Sequence, residues 1–161
     1  FFLGITYSVF QSSAGLVIED QNIAKFVFNT KQLDDINIPL LDIKPGENKE
    51  YLFSVANNEN GNKSDVSFEY QIIIKTYHFI PLKITLYKDE TIFGVCDETY
   101  SRNQNNELVC NMPVNSVDYN TEKTNYYKLL VNFPAEYDDS IYSGLVDYIN
   151  LEIKSWQLVE E

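Results

Sequence analysis

Two cysteines are the residues whose type and spacing most clearly predict chemistry in this chain of 161 residues. Cys96 and Cys110 lie fourteen residues apart, and the run between them is polar and rich in turn-forming residues. One even pair flanking such a run favours a disulfide, which indicates an oxidising, extracellular compartment. Closing a loop of this length contributes on the order of 3 kcal/mol through chain entropy. Two separate buried thiols are the alternative, and the single His78 leaves a zinc site incomplete.

Carboxylates are the second set of candidate ligands. Glu136, Asp138 and Asp139 form an acidic stretch that is a candidate calcium site, because calcium is a hard cation that prefers oxygen ligands. The alternative is a solvated acidic loop, and no other cofactor is predicted. The sequence contains no H-E-x-x-H motif, no G-x-S-x-G motif and no glycine-rich phosphate loop, so an enzyme is not predicted. Asn62 begins a short glycosylation sequon, N-K-S.

The charge of the chain narrows the range of partners. The formal net charge is -12, from 24 acidic and 12 basic residues. A nucleic acid or an anionic membrane would repel such a surface, so neither is predicted as a partner. No apolar segment has the length of a membrane span. A secreted, extracellular protein is the interpretation that fits both observations.

Alternation of apolar and polar residues recurs along almost the whole chain, and no window has a convincing helical period. The 12 tyrosines and 10 phenylalanines suit pleated sheets. The last strand loses its phase at Ser155, which predicts a bulge after which Trp156 and Leu158 face inward. Strands are predicted at residues 22–30, 36–43, 48–56, 65–76, 79–88, 123–133 and 145–159, with an irregular hairpin at 92–112.

These strands and the turns between them predict an all-β fold. Without helical crossovers, the favoured architecture is an antiparallel two-sheet sandwich of the jelly-roll type. The interpretation divides the chain into an N-terminal strand with its spacer, residues 1–15, and a sandwich domain, residues 16–161.

The first ten residues form an apolar segment that is predicted to be buried against another strand. Phe1, Leu3, Ile5, Tyr7 and Val9 fall on one face of a predicted strand. Three fates are open to this strand: pairing within its own domain, acting as a residual membrane anchor, or adding to the sheet of a neighbouring subunit. The polar Gln11–Gly15 stretch predicts a flexible spacer, which favours the third fate. Head-to-tail addition that does not close into a ring produces a filament.

Three segments resemble the TasA and camelysin family of secreted Gram-positive proteins. The first runs from Ile43 to Gly61 and reads IKPGENKEYLFSVANNENG, a proline-glycine turn followed by an aromatic strand and an Asn/Gly loop. The others are GITYSVFQSSAGLVIEDQNIAKFVF near the beginning and INLEIKSWQLVE near the end. The resemblance implies a jelly-roll-like sandwich that builds extracellular fibres. Some relatives are described as metalloproteases, but this chain has no zinc-protease motif to carry that activity.

The sequence therefore predicts a structural subunit of an extracellular, biofilm-matrix or pilus-like filament. Its partners are identical subunits joined head to tail through the N-terminal donor strand. The alternative is a monomeric secreted binding module that recognises a carbohydrate or a host surface. Exposed aromatic residues on one face would distinguish this module, and the candidates are Tyr100, Tyr119, Tyr126, Tyr137 and Tyr142.

Overall fold

The computed structural model describes residues 13–19, 23–29, 35–39, 43–59, 61–76, 81–137 and 148–158. Within these ranges the chain is all-β, as predicted, and its one helical element is a 3-10 turn at Ala135–Tyr137. None of the described helical residues forms a segment long and apolar enough to span a bilayer. The strands are β1 Ser13–Glu19, β2 Ile23–Asn29, β3 Asp35–Pro39, β4 Asn48–Ala56, β5 Asn58–Glu59, β6 Asn62–Lys63, β7 Phe68–Thr76, β8 Lys83–Lys88, β9 Thr91–Cys96, β10 Leu108–Val117, β11 Thr124–Asn132 and β12 Tyr148–Gln157.

The strands form two large sheets and one small hairpin. The six-stranded sheet has the order β1-β2-β4-β11-β8-β9, the four-stranded sheet has the order β10-β7-β12-β3, and β5 pairs with β6. Neighbouring strands are antiparallel except for β2 and β4, which run parallel. The chain leaves the six-stranded sheet after β2, forms β3 in the other sheet and returns as β4, so β4 runs in the direction of β2.

The core consists of apolar side chains from both sheets, which confirms the inward faces predicted for the central strands. In β7 the alternating residues Tyr70, Ile72 and Ile74 are fully buried. Burial of each large apolar side chain contributes roughly 1.5 to 3 kcal/mol, so this alternation is the main reason why the sheets pack together. The six-stranded sheet contributes Phe53, Val55, Ile84, Leu86, Tyr127, Leu129 and Val131, and the four-stranded sheet contributes Cys110, Met112, Ile149, Leu151 and Ile153.

The turn before β4 has the geometry that its sequence predicts. Gly46 adopts φ 85°, a left-handed conformation that glycine tolerates without strain. Its N–H donates to the carbonyl of Phe133 at 2.7 Å, and the N–H of Glu47 donates to the carbonyl of Lys44 at 2.9 Å. The turn thus joins the start of β4 to the end of β11, its antiparallel neighbour.

The stretch predicted as a flexible spacer is partly a strand. Ser13, Ala14 and Gly15 belong to β1 and pair with Asn29, Phe28 and Val27 of β2. The spacer prediction was wrong for these residues, because backbone hydrogen bonds hold them regardless of their small side chains. The boundary predicted after residue 15 falls inside β1. Only Gln11 and Ser12, outside the described residues, remain between the N-terminal segment and the sheet.

The bulge predicted in the last strand does not occur. The register between β12 and β7 is continuous from Ile149 to Gln157. Trp156 therefore lies on the outer face, where its side chain is 37% exposed and its Nε1 donates to Oε2 of Glu69 at 2.8 Å. The bulge prediction was wrong because an exposed tryptophan, held by one hydrogen bond, looks in sequence like a core residue out of phase.

Candidate functional site

One side of the sandwich is closed by the disulfide that the sequence predicts. Cys96 ends β9 and Cys110 lies near the start of β10, with Cα atoms 5.6 Å apart. Both residues are fully buried. Because β9 and β10 are the outer strands of different sheets, the disulfide joins the two sheets covalently at this edge.

Side-chain packing closes the same side further along the strands. A Cβ atom at Gly94 of β9 would collide with the Sδ atom of Met112 in β10, so the two strands meet closely at this glycine. The pairing of β10 with β7 shifts between Asn111 and Val114. Pro113 lies within this bulge and has no N–H to donate. We call the β9/β10 side, with these contacts, the closed side.

A buried polar network lies between the sheets. The hydroxyls of Tyr70 and Tyr127 are hydrogen-bonded at 2.6 Å, and Nδ2 of Asn125 donates to the Tyr70 hydroxyl at 2.6 Å. Nδ2 of Asn115 donates to the Tyr127 hydroxyl at 3.1 Å, and Nζ of Lys88 donates to Oδ1 of Asn115 at 2.6 Å. The network therefore holds β7 and β10 of one sheet to β8 and β11 of the other.

Burial changes the ionisation of the groups in this network. It raises the pKa of Tyr70 to about 12, and it also raises the pKa of Tyr127. Burial lowers the pKa of the Lys88 amine, which lies 5.9 Å from the ring centroid of Phe93. The sequence analysis missed this network, although Asn125 is a polar residue at an inward position of β11 and could have indicated it.

We expect the free energy of unfolding to fall as the pH rises above 10. In the unfolded chain Tyr70 ionises near its ordinary pKa of 10, whereas in the folded chain its hydroxyl keeps its proton until about pH 12. A pKa raised by folding stabilises the protein fully below the unfolded pKa, and this stabilisation is lost as the pH rises through the folded pKa. Urea unfolding followed at a series of alkaline pH values measures the slope.

The control for this prediction is Tyr70→Phe, which removes one ionising group. Its stability should depend less steeply on pH in the alkaline range. The variant should also be less stable at neutral pH by about 1 to 3 kcal/mol, because the buried amide of Asn125 loses its acceptor. An alkaline slope identical to that of the natural chain would contradict the assignment to Tyr70.

The opposite side of the sandwich is formed by β3 in one sheet and by β1 and β2 in the other. β3 pairs with β12 on one side only and is the outermost described strand of its sheet. When the strands of each sheet are counted from the disulfide-linked edge, the smaller sheet ends at its fourth strand, β3. The larger sheet has two further strands, β2 and β1. We call this the open side, and the β1–β2 hairpin is the part of the larger sheet that extends beyond the smaller one.

The predicted donor residues Phe1, Leu3, Ile5, Tyr7 and Val9 lie outside the described residues, and their assignment stays a prediction. Asp138 and Asp139 lie outside them as well. The third calcium candidate, Glu136, is placed in the 3-10 turn. Among the described residues, no group of three or more His, Cys, Asp or Glu side chains is arranged to hold a metal ion.

Glu136 does line a cleft of about 350 Å³ at one end of the sandwich. Hydrogen bonds from Thr99 to Asp97, 2.5 Å from the hydroxyl and 3.0 Å from the amide, lower the pKa of the Asp97 carboxyl. Glu98 pairs with Arg102 at 2.9 Å. Asp97 and Glu98 thus have protein partners of their own. Its lining consists of Pro81, Leu82, Lys83, Asp97, Glu98, Thr99, Pro134, Glu136 and Tyr137.

The tyrosines named as candidates for a binding face are separated in space. Tyr126, 61% exposed, lies on β11, and Tyr119 lies in the loop between β10 and β11. Tyr100 follows β9, and Tyr137 packs against the core after β11, so both lie at the end opposite Tyr119. Tyr142 lies outside the described residues. The four described tyrosines therefore do not form one continuous surface.

The sequon residue Asn62 is exposed in β6, next to the left-handed Gly61 with φ 81°. Glycosylation at this position stays a prediction.

No family model, curated protein or solved structure matches the chain. The fold and the edges described above define an all-β, two-sheet protein with an intersheet disulfide.

Proposed function

We propose that this protein is a secreted structural subunit that polymerises into an extracellular filament by donor-strand complementation. In this proposal residues 1–10 of one subunit add to a sheet of the next, with Phe1, Leu3, Ile5, Tyr7 and Val9 facing its core. The partners are identical subunits joined head to tail. Such a contact does not close on itself and therefore builds a fibre.

The observation that carries the proposal is the short connection between the N-terminal segment and β1. Because β1 begins at Ser13, only Gln11 and Ser12 separate it from Phe10. Two-residue hairpins require residues that accept positive φ, usually Asn, Asp or Gly, and Gln-Ser is a poor choice for such a turn. A return of the segment along β1 is therefore disfavoured. In the proposal the segment instead pairs with a neighbouring subunit.

The strand order supports a jelly roll as the architecture of the subunit. Without the β1–β2 hairpin, the two sheets have the orders β4-β11-β8-β9 and β10-β7-β12-β3. Apart from β8 and β9, which are consecutive in one sheet, these eight antiparallel strands alternate between the two sheets, and this order supports the two Greek keys of a jelly roll. The β1–β2 hairpin is then an addition beside β4. We propose membership of the TasA and camelysin family on the basis of this order and of the sequence motifs.

Secretion is supported by the disulfide and by the charge. A buried disulfide between Cys96 and Cys110 persists in an oxidising compartment. The net charge of -12 favours solubility before assembly. Both properties are compatible with a secreted subunit.

A monomeric binding module is the second candidate, and the outer face of the six-stranded sheet favours it. Leu52, 44% exposed, and Ile92, 66% exposed, lie in one row across the sheet together with Lys128 and Tyr87. Lys128 lies 5.0 Å from the ring centroid of Tyr87. Exposed apolar groups of this kind mark contact surfaces. In a filament the same face would be available for lateral contacts between fibres.

Electron microscopy of the purified full-length chain distinguishes the two functions. The filament proposal predicts fibres whose number grows with protein concentration. A field of monomers at every concentration would favour the binding module.

A further inference from the structure

We propose that the outer edge of β3, which has no described strand beside it, is the acceptor for the donor strand of the neighbouring subunit. This inference rests on the filament proposal and specifies where the incoming strand binds. The donor would pair with β3 through backbone hydrogen bonds and would lie opposite the β1–β2 hairpin, which extends beyond the smaller sheet.

The closed side is a poor acceptor. There β9 and β10 are tied together by the disulfide and by the close approach of Gly94 to Met112. Both strands are also irregular, since β9 pairs with β8 through a register shift and β10 is bulged around Pro113. A bulge interrupts the regular row of backbone groups that an added strand needs, whereas β3 pairs with β12 without a register shift and lacks an N–H only at its last residue, Pro39. Neither edge offers a regular ladder or space between the sheets.

The outer edge of β1 offers backbone groups but no opposing sheet. A strand added there would be the seventh of its sheet, and it would lie still further beyond the four-stranded sheet. Its apolar face would have no described strand opposite it. A strand beside β3 is different, because the larger sheet already extends over that position. Packed sheets lie about 10 Å apart, so one added strand makes contact across the gap.

The register aligns apolar residue types of the open side with buried positions of the core. Ala24 and Phe26 of β2 pair with Phe53 and Val55, which are buried in the core. Leu16 of β1 pairs in turn with Phe26. The positions of β1 and β2 that are in register with the buried positions of β4 therefore hold apolar residues. In the proposal, the apolar face of the donor packs opposite these positions and gains roughly 1.5 to 3 kcal/mol for each large side chain buried.

The same continuity holds in the smaller sheet. Ile36 and Ile38 of β3 pair with Leu151 and Ile149 of β12, and both partners are fully buried. If a strand adds beside β3 with its apolar residues in register with these positions, the hydrophobic core gains one more row of side chains. The alternation of the donor, with apolar residues at odd positions, is the pattern that this position accepts.

Photo-crosslinking in assembled filaments tests the acceptor edge with the full chain. A benzophenone amino acid replaces Thr6 or Ser8, which lie on the polar face of the donor, so that the apolar face is unchanged. Filaments are assembled from an equal mixture of unlabelled and heavy-nitrogen-labelled subunits that carry the benzophenone. They are then irradiated, digested and analysed by mass spectrometry. We expect cross-links to residues 35–39, half of them between light and heavy peptides. The control is the same amino acid at Asn62, which should not cross-link to β3.

The outcomes separate this inference from the filament proposal. Cross-links between subunits that map to β1, β9 or β10 would overturn the β3 assignment and leave donor-strand assembly intact. Cross-links to β3 that never combine light and heavy peptides would show pairing within one subunit and overturn the exchange between subunits. Absence of filaments from the natural chain would overturn both proposals.

Discussion

Removal of residues 1–10 is expected to leave a folded, soluble monomer that no longer forms filaments. The described core is built from β4 and β7 to β12, and its buried residues all lie between Phe53 and Ile153. Because the proposal places residues 1–10 in the core of the neighbouring subunit, their deletion is expected to spare the sandwich and its disulfide. It removes five apolar side chains on one face of the donor, each contributing roughly 1.5 to 3 kcal/mol when buried, together with the backbone hydrogen bonds of the added strand. Electron microscopy and analytical ultracentrifugation of both proteins measure the loss.

A matched pair of substitutions distinguishes the donor role from a general effect of the deletion. Ile5→Asp places a charge on the apolar face, whereas Thr6→Asp places the same charge on the opposite face. We expect Ile5→Asp to raise the concentration needed for assembly by more than tenfold, since each 1.4 kcal/mol is about a factor of ten. Thr6→Asp should assemble nearly as the natural chain does. Filaments from the truncated chain, or equal effects of the two substitutions, would refute donor-strand assembly.

The second large effect is expected from the disulfide. Replacing both Cys96 and Cys110 by alanine should lower the free energy of unfolding by about 3 kcal/mol, the chain-entropy value for a loop of this length. For a chain of this size that loss corresponds to about 6 to 12 °C in Tm. Both cysteines are fully buried between the two sheets on the closed side. Differential scanning calorimetry measures the change.

Reduction of the natural chain is the control for this double substitution. It breaks the same bond without removing the sulfur atoms, so the difference between the reduced and substituted proteins reports the packing of the sulfurs. We expect reduction to account for most of the loss. An unchanged Tm in both cases would show that the disulfide does not stabilise the fold. The closed side would then be held by packing and by the polar network alone.

Features of this fold that depend on neighbouring residues could be predicted from the sequence, whereas those that depend on distant residues could not. The inward faces of β7 and β11 follow from a period of two, and the turn at Gly46 follows from its Pro-Gly pair, so both were predictable. The parallel pairing of β2 with β4 was not, because it depends on the path of the chain through the other sheet. Asn57 is a further example: its side chain donates to the carbonyl of Thr121, 64 residues away, at 2.8 Å.

The all-β class and the apolar side of the central strands were predictable from the residues alone, and the spacing of the two cysteines favoured a disulfide between them. Each of these predictions follows from local spacing and from the small number of residues able to react. The identity of the edge strands, the joining of two sheets by the disulfide and the packing of six described strands against four required the tertiary structure. Edges and strand counts are set by pairing between segments far apart in the chain, where hydrophobic burial and backbone hydrogen bonding are satisfied together.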